Sequence, residues 1–182
     1  MNHVGTQELT TKRLTLRKLK LEDFHDIFNN WAGDKEVAKY TTWYAHQSEE
    51  VIQEYVKMVV RPYNELNYYC WGIEYQKNLV GMISVIQVDE EAEVCGIGYV
   101  LSKNYWNLGL MNEATNCVVA FLFKQVGYRR IIGWCDVANT ASSLVLSNVG
   151  MQLEGTLRQQ IVRKDGTYGD EYMYGILKDE MT

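Results

Sequence analysis

The sequence predicts a single domain of the α/β (α+β) class, a mixed, mostly antiparallel seven-stranded sheet flanked by about four helices. Three observations predict it. Seven runs carry strand character, either period-two alternation or β-branched and aromatic enrichment, and four runs repeat apolar residues at helical spacing. Two junctions between consecutive strands are short polar turns, which join neighbours antiparallel. At 182 residues and 47% hydrophobic side chains, the chain has one domain's length and enough apolar volume for one core.

The elements follow in order. Residues 1–10 are polar and are expected to form a flexible tail. Arg13, Leu14, Thr15, Leu16 and Arg17 alternate as a half-buried first strand. Leu21, Phe24, Ile27, Phe28 and Trp31 recur at helical spacing, and Gly33 stops that helix. Ser48, Glu49 and Glu50 place a cap and negative charge at the start of a second helix, which Arg61-Pro62 ends. Residues 69–75 and 79–88 form a hairpin around Gln76-Lys77-Asn78. Residues 93–101 form a fourth strand in which Gly96 and Gly98 signal a bulge or the close approach of another group. Leu110, Ala114, Cys117, Val118, Phe121 and Leu122 define the clearest helix, with Gly127 beyond its end. Residues 130–137 form a fifth strand, Asn139 caps a helix to Asn148, and residues 151–162 and 168–177 close the chain as a hairpin around Lys164-Asp165-Gly166.

Charge and composition exclude several functions. A net charge of -5 is the wrong sign for binding phosphate-coated nucleic acid. No apolar run reaches the roughly 18–20 residues that cross a bilayer, so no membrane partner and a cytoplasmic location are expected. Cys70, Cys95, Cys117 and Cys135 lie singly in apolar stretches and read as small core residues. His3, His25 and His46 are scattered, so no metal site is expected.

The stretch that carries chemistry runs from Tyr105 to Ala114, between the glycine-bearing strand and the long helix. A loop at a helix start leaves N–H groups unpaired, and with the helix dipole they attract phosphate oxygens. The run GYVLSKNYW-x-x-G-x-M-x-EA, followed by N-x-x-S and, eight positions on, G-M, resembles the coenzyme A-binding core of GNAT acetyltransferases. TKRLTLRKL, LVGMISV, EGTLRQ and GTYGDEYMYGIL extend that resemblance, from about Thr11 to Leu177, to the branch of RimJ/RimL-type ribosomal-protein N-acetyltransferases.

The resemblance implies acetyl-coenzyme A as co-substrate, no metal, and a sheet splayed between the fourth and fifth strands. It implies that main-chain groups of Tyr99, Val100 and Leu101 bind pantetheine, and that Trp106, Asn107, Leu108, Gly109, Leu110, Met111 and Asn112 wrap the pyrophosphate. Asn139 and Ser142 are implied to reach the pantetheine arm and sulfur, with Ser142 protonating the departing thiolate and Ser143 as its rival. The connection holding Trp31, Tyr40, Trp43, Tyr44 and His46 is implied to wall the acceptor site, where aromatic faces hold a cationic amine. Three residues depart from the branch pattern: Gly96 replaces a frequent glutamate, Asn107 a glycine and Leu108 a lysine. Glu93 and Asp136 are then the candidate bases. A missing base favours an α-amine, whose pKa of roughly 7.7–8.0 leaves it largely neutral at cellular pH.

The expected reaction is acetyl transfer to a primary amine, either a protein N-terminus or a small amine such as a polyamine or aminoglycoside. A catalytically inactive coenzyme A-binding sensor or interaction module is the alternative, since fold does not fix chemistry. The exposed edge of the last hairpin leaves pairing into a homodimer open.

Overall fold

The computed structural model describes residues 1–181. Its strands are β1 (Leu9–Thr10), β2 (Leu14–Arg17), β3 (Cys70–Tyr75), β4 (Asn78–Asp89), β5 (Val94–Leu101), β6 (Arg130–Asp136), β7 (Gln152–Val162) and β8 (Tyr168–Leu177). They form one eight-stranded sheet in the order β1-β2-β3-β4-β5-β6-β8-β7. Every neighbouring pair is antiparallel except β5 and β6, which are joined through a helix as parallel neighbours must be. The helices are α1 (Phe24–Ile27), α2 (Lys35–Ala38), α3 (Glu49–Val60), α4 (Leu110–Phe121) and α5 (Thr140–Asn148).

Two layers cover the sheet. On one face α4 and α5 bury Trp71, Ile83, Cys95, Ile97, Ile131 and Cys135; on the other α1 and α3 bury Leu19, Trp31, Cys70 and Leu79. The fit is tight where α5 meets β6: a Cβ on Gly133 would lie 2.6 Å from Leu146 Cδ2. Truncating a buried leucine such as Leu146 to alanine costs about 2–5 kcal/mol. The four cysteines are free, with Cys70, Cys95 and Cys135 buried and Cys117 half-buried.

Four expectations change. The sheet has an eighth strand, β1, because residues 1–10 are docked and not a flexible tail: Asn2 donates to Val126 O at 2.7 Å, the Thr6 hydroxyl to Tyr68 O at 2.9 Å, and Leu9 pairs with Leu16. Their polarity serves main-chain partners, which composition does not reveal. A fifth helix, α2, is capped by the Asp34 carboxylate accepting from Glu36 N, and its four residues are too short for periodicity to detect. The helix read through Trp31 is broken into a 3-10 turn, α1 and a wide π turn over Phe28–Ala32. The bulge lies not in the glycine-bearing strand but in its neighbour, where the register of β4 against β5 shifts between Ile86 and Val88 and exposed Gln87 takes φ 48°.

Among the described residues no helix is long and apolar enough to cross a membrane, and no three His, Cys, Asp or Glu side chains are grouped to hold a metal.

Candidate active site

The site begins where the sheet opens. β5 and β6 pair only from Val94 with Arg130 to Gly96 with Ile132, after which they diverge. The Trp134 ring lies over Gly96, where an added Cβ would fall 2.8 Å from two ring atoms and 3.0 Å from Ile86 O. A glutamate at this position would displace the ring, so glycine here is tied to Trp134. Tyr99, Val100 and Leu101 pair with Ile83, Met82 and Gly81 of β4, leaving their other edge toward the gap. At its end Leu101 O accepts from Trp106 Nε1 at 2.9 Å, which anchors the following loop.

That loop is held in an unusual backbone shape. Asn107 sits at φ 61° and Gly109 at φ 72°, both left-handed, and Gly109 precedes α4 without a side-chain cap. An asparagine tolerates this region better than most residues, which explains how Asn107 serves where the branch has glycine. The first-turn N–H groups of Leu110, Met111 and Asn112 have no partner one turn back in the helix, while the side chains of Leu110 and Met111 are buried beneath them. Main-chain N–H groups are therefore what the start of α4 offers a ligand, beside the exposed side chains of Asn107 and Leu108.

Arg13 braces the loop. Its Nη1 donates to Leu108 O at 2.9 Å and its Nε to Glu113 Oε2 at 2.6 Å, and Nη2 lies 3.6 Å from where a Gly109 Cβ would stand. Burial pushes the Glu113 carboxyl up, but hydrogen bonds from Thr11 and Arg13 more than offset this and leave it lowered. Arg13 thus sets a cation beside a loop that carries Leu108 in place of lysine. Sequence reasoning used Arg13 only as a strand residue; its distance of 100 positions from Glu113 hid the role.

Across the gap, α5 presents its first turn. Asn139 Oδ1 accepts from Ser142 N at 3.2 Å, capping the helix as expected. Ser142 Oγ lies 2.9 Å from Tyr99 Oη, and that phenol also donates to Ser142 O at 3.2 Å. Burial pushes the Tyr99 pKa well above the ordinary tyrosine value, so the phenol holds its proton. Burial pushes the thiol of nearby Cys135 on β6 up to about 11. Ser143, the rival, points elsewhere, its Oγ 2.6 Å from Tyr174 Oη. No tyrosine lies near Ser142 in sequence, yet β5 delivers one from 43 residues away.

The opposite face of the same strands is also part of the site. Directly paired residues share a face, so Trp134, Asp136, Glu171 and Met173 lie together, away from α5. Asp136 is taken: Arg163 Nε and Nη2 donate to its two oxygens at 2.7 and 2.8 Å, and Ala138 N at 2.8 Å. The Arg163 hydrogen bonds hold its carboxyl below the usual range, which disqualifies it as a base near neutrality. Glu93 lies at the far end of β5, at φ 55°, with its carboxylate 3.9 Å from the Met1 ammonium. Glu171, paired with Asp136, is pushed up by burial and by the Asp136 charge, and sequence gave no reason to select it.

The aromatic connection divides in two. Trp31 is 3% exposed and belongs to the core under α1 and α3, whereas Tyr40 and Tyr44 are exposed and Trp43 is half-buried. Trp43 stacks on His46 with ring centroids 5.7 Å apart. The β7–β8 turn crosses to this connection, and Lys164 Nζ donates to Ala38 O and Trp43 O.

Comparison with known proteins agrees with this geometry. Residues 13–152 match the family model described as acetyltransferase (GNAT) domain. YoaA of Bacillus subtilis (strain 168), described as an uncharacterized N-acetyltransferase, is 32% identical over 93% of this chain and 96% of its own. YdaF of the same organism, described as a putative ribosomal N-acetyltransferase, is 28% identical over 66% of this chain and 65% of its own. A GNAT-family acetyltransferase from Bacillus anthracis superposes with a TM-score of 0.82 at 26% identity, covering 95% of this chain and 99% of that one.

Proposed function

The chain belongs to the GNAT acetyltransferase family, and from that premise we propose that it transfers the acetyl group of acetyl-coenzyme A to a primary amine, with a protein N-terminus as acceptor. One observation carries the reading: Tyr99, at the edge of β5 that faces the gap, is followed through the loop over 102–109 by the unpaired N–H groups at the start of α4. A pantetheine arm fits the first as an added strand edge, and a pyrophosphate fits the second. Bound there, acetyl-coenzyme A supplies an activated thioester.

The chain's own residues do the rest. A β5 N–H at the gap donates to the thioester oxygen as charge builds on it, a contribution of roughly 3–4 kcal/mol when preorganised and dry. Ser142 hands a proton to the departing sulfur and is resupplied by the Tyr99 phenol, 2.9 Å away, which regains a proton from solvent as Glu171 releases the one taken from the amine, so no phenolate persists in the buried site. The acceptor approaches on the face of Trp134 and Met173, where Glu171, its pKa raised, accepts the proton that the amine sheds. The α-amine of a peptide suits so modest a base better than a lysine side chain does. The name of the relative YdaF supports a ribosomal-protein acceptor, and the net charge of -5 favours a cationic one. A polyamine or aminoglycoside is the second reading, favoured by the exposed aromatic faces of Tyr40 and Tyr44.

The test is calorimetric titration with acetyl-coenzyme A, then acetyl transfer to peptides with free N-termini, polyamines and aminoglycosides. Binding with transfer to peptides is expected. Binding with no transfer to any amine would favour a coenzyme A sensor, and absence of binding would overturn the proposal.

A further inference from the structure

Lys164 lies at the tip of the β7–β8 hairpin, yet its ammonium is not in open water. It donates to the main-chain oxygens of Ala38 and Trp43, 126 and 121 residues away, and lies 5.9 Å from the centroid of the Trp43 ring and 5.1 Å from that of Tyr44. Two carbonyl oxygens and two aromatic faces make a cage matched to a primary ammonium: the oxygens accept two of its three N–H groups and the rings face the remaining charge. The cage stands independently of its occupant. Ala38 ends α2, which Asp34 caps, Thr41 Oγ1 lies 2.9 Å from both Ala38 O and Trp43 O and donates its one proton to either, and His46 stacks on Trp43.

We propose that this cage is a primary-ammonium site, closed in the present structure by the chain's own Lys164 and able to take an alkylammonium group of a ligand in its place. Because the hairpin is also fixed by Arg163 on Asp136, exchange at the cage frees the hairpin tip without releasing its base. Arg163, next to Lys164 in sequence, is bound to Asp136 on the acceptor face, so the displacing group is a second ammonium carried by the acceptor, either the far end of a diamine or a lysine side chain near a peptide N-terminus. That last step rests on the acceptor face assigned above; the cage itself does not. Burial lowers the Lys164 pKa, so desolvation is what the carbonyls and rings must offset.

The test compares the native protein with Lys164→Ala and with Lys164→Met, which keeps an apolar stem should the alanine variant fail to fold. Without acetyl-coenzyme A, n-butylammonium should bind the variants saturably in calorimetry and raise their thermal midpoint. Tetramethylammonium, which has no N–H group, should not, and the native protein should respond weakly because its cage is filled. Adding Trp43→Ala to Lys164→Met should abolish the response. Equal effects of butylammonium and tetramethylammonium, or equal responses of native and variant, would overturn the proposal. Competition of cadaverine or of a lysine-bearing peptide against butylammonium then identifies the source of the group. Failure of acetyl transfer would sink the previous section's reading and leave this binding result standing.

Discussion

The two sides of the splay are built from different materials. On the α4 side the surface offered to a ligand is mostly main chain: one edge of β5, the turn at Asn107 and Gly109, and the first turn of α4. On the β7–β8 side it is mostly side chains delivered by loops and a long hairpin, Trp43, Tyr44, Arg163, Lys164 and Glu171, with the main-chain oxygens of Ala38 and Trp43 among them. A main-chain surface recognises what every donor shares, a phosphate chain and an amide-bearing arm. A side-chain surface can be rewritten one residue at a time without disturbing the first. On the proposed function, the difference teaches that recognition of the acyl donor goes with the fold, while recognition of the acceptor goes with this chain's own side chains.

Substitutions can separate the two sides. The largest expected effect lies at their meeting point, where Ser142→Ala and Tyr99→Phe should each lower kcat about a hundredfold, the scale of a lost proton donor. The double variant should fall little further than the worse single one, because the two hydroxyls act in series; additive losses would break the relay. Gly109→Pro, which cannot hold φ 72° and removes a donor, should weaken acetyl-coenzyme A binding roughly 10- to 100-fold by calorimetry while circular dichroism stays native. Trp43→Ala should raise the acceptor KM about 2- to 5-fold, the scale of an exposed cation–π contact, with acetyl-coenzyme A affinity unchanged. A parallel loss of both affinities would show that the two sides are not separable.

The smallest effect concerns stability. Asp136 has its folded pKa depressed by Arg163, so the pair adds stability that is complete above the ordinary aspartate pKa of 3.8 and is lost as pH falls through the depressed value. Asp136→Asn should therefore lower the thermal midpoint by roughly 2–4 °C at pH 7. The gap between the two proteins should close below pH 3.8 in thermal melts recorded against pH. A gap that persists in acid would mean that Asp136 acts by packing and not by charge.

Much of the donor side was legible because its signals are local. Gly109 before a helical period and Asn139 three residues ahead of Ser142 are short-range patterns whose physics acts within one turn. The splay was legible only through resemblance; the Trp134 ring over Gly96, where the pairing ends, joins residues 38 positions apart and has no signature in either strand. The acceptor side was harder for the same reason. Residues such as Trp31 and Trp43 look alike in sequence, yet one is sealed under α3 and the other opens to the hairpin tip, a choice made by tertiary packing. Glu171 and the Tyr99 phenol became candidates only when strand register showed which face each occupies and which partner it meets.

Trp134 at the apex of the gap has an optical consequence. Two of the five tryptophans, Trp31 and Trp71, are 3% and 0% exposed and will emit at short wavelength whatever binds. The half-buried Trp134 indole lies where the strands part, so its emission tracks the water content of the cleft. A blue shift on adding donor alone, and a second on adding amine, each persisting when exposed Trp106 and half-buried Trp43 are replaced by phenylalanine, would show the cleft drying in two steps without any label.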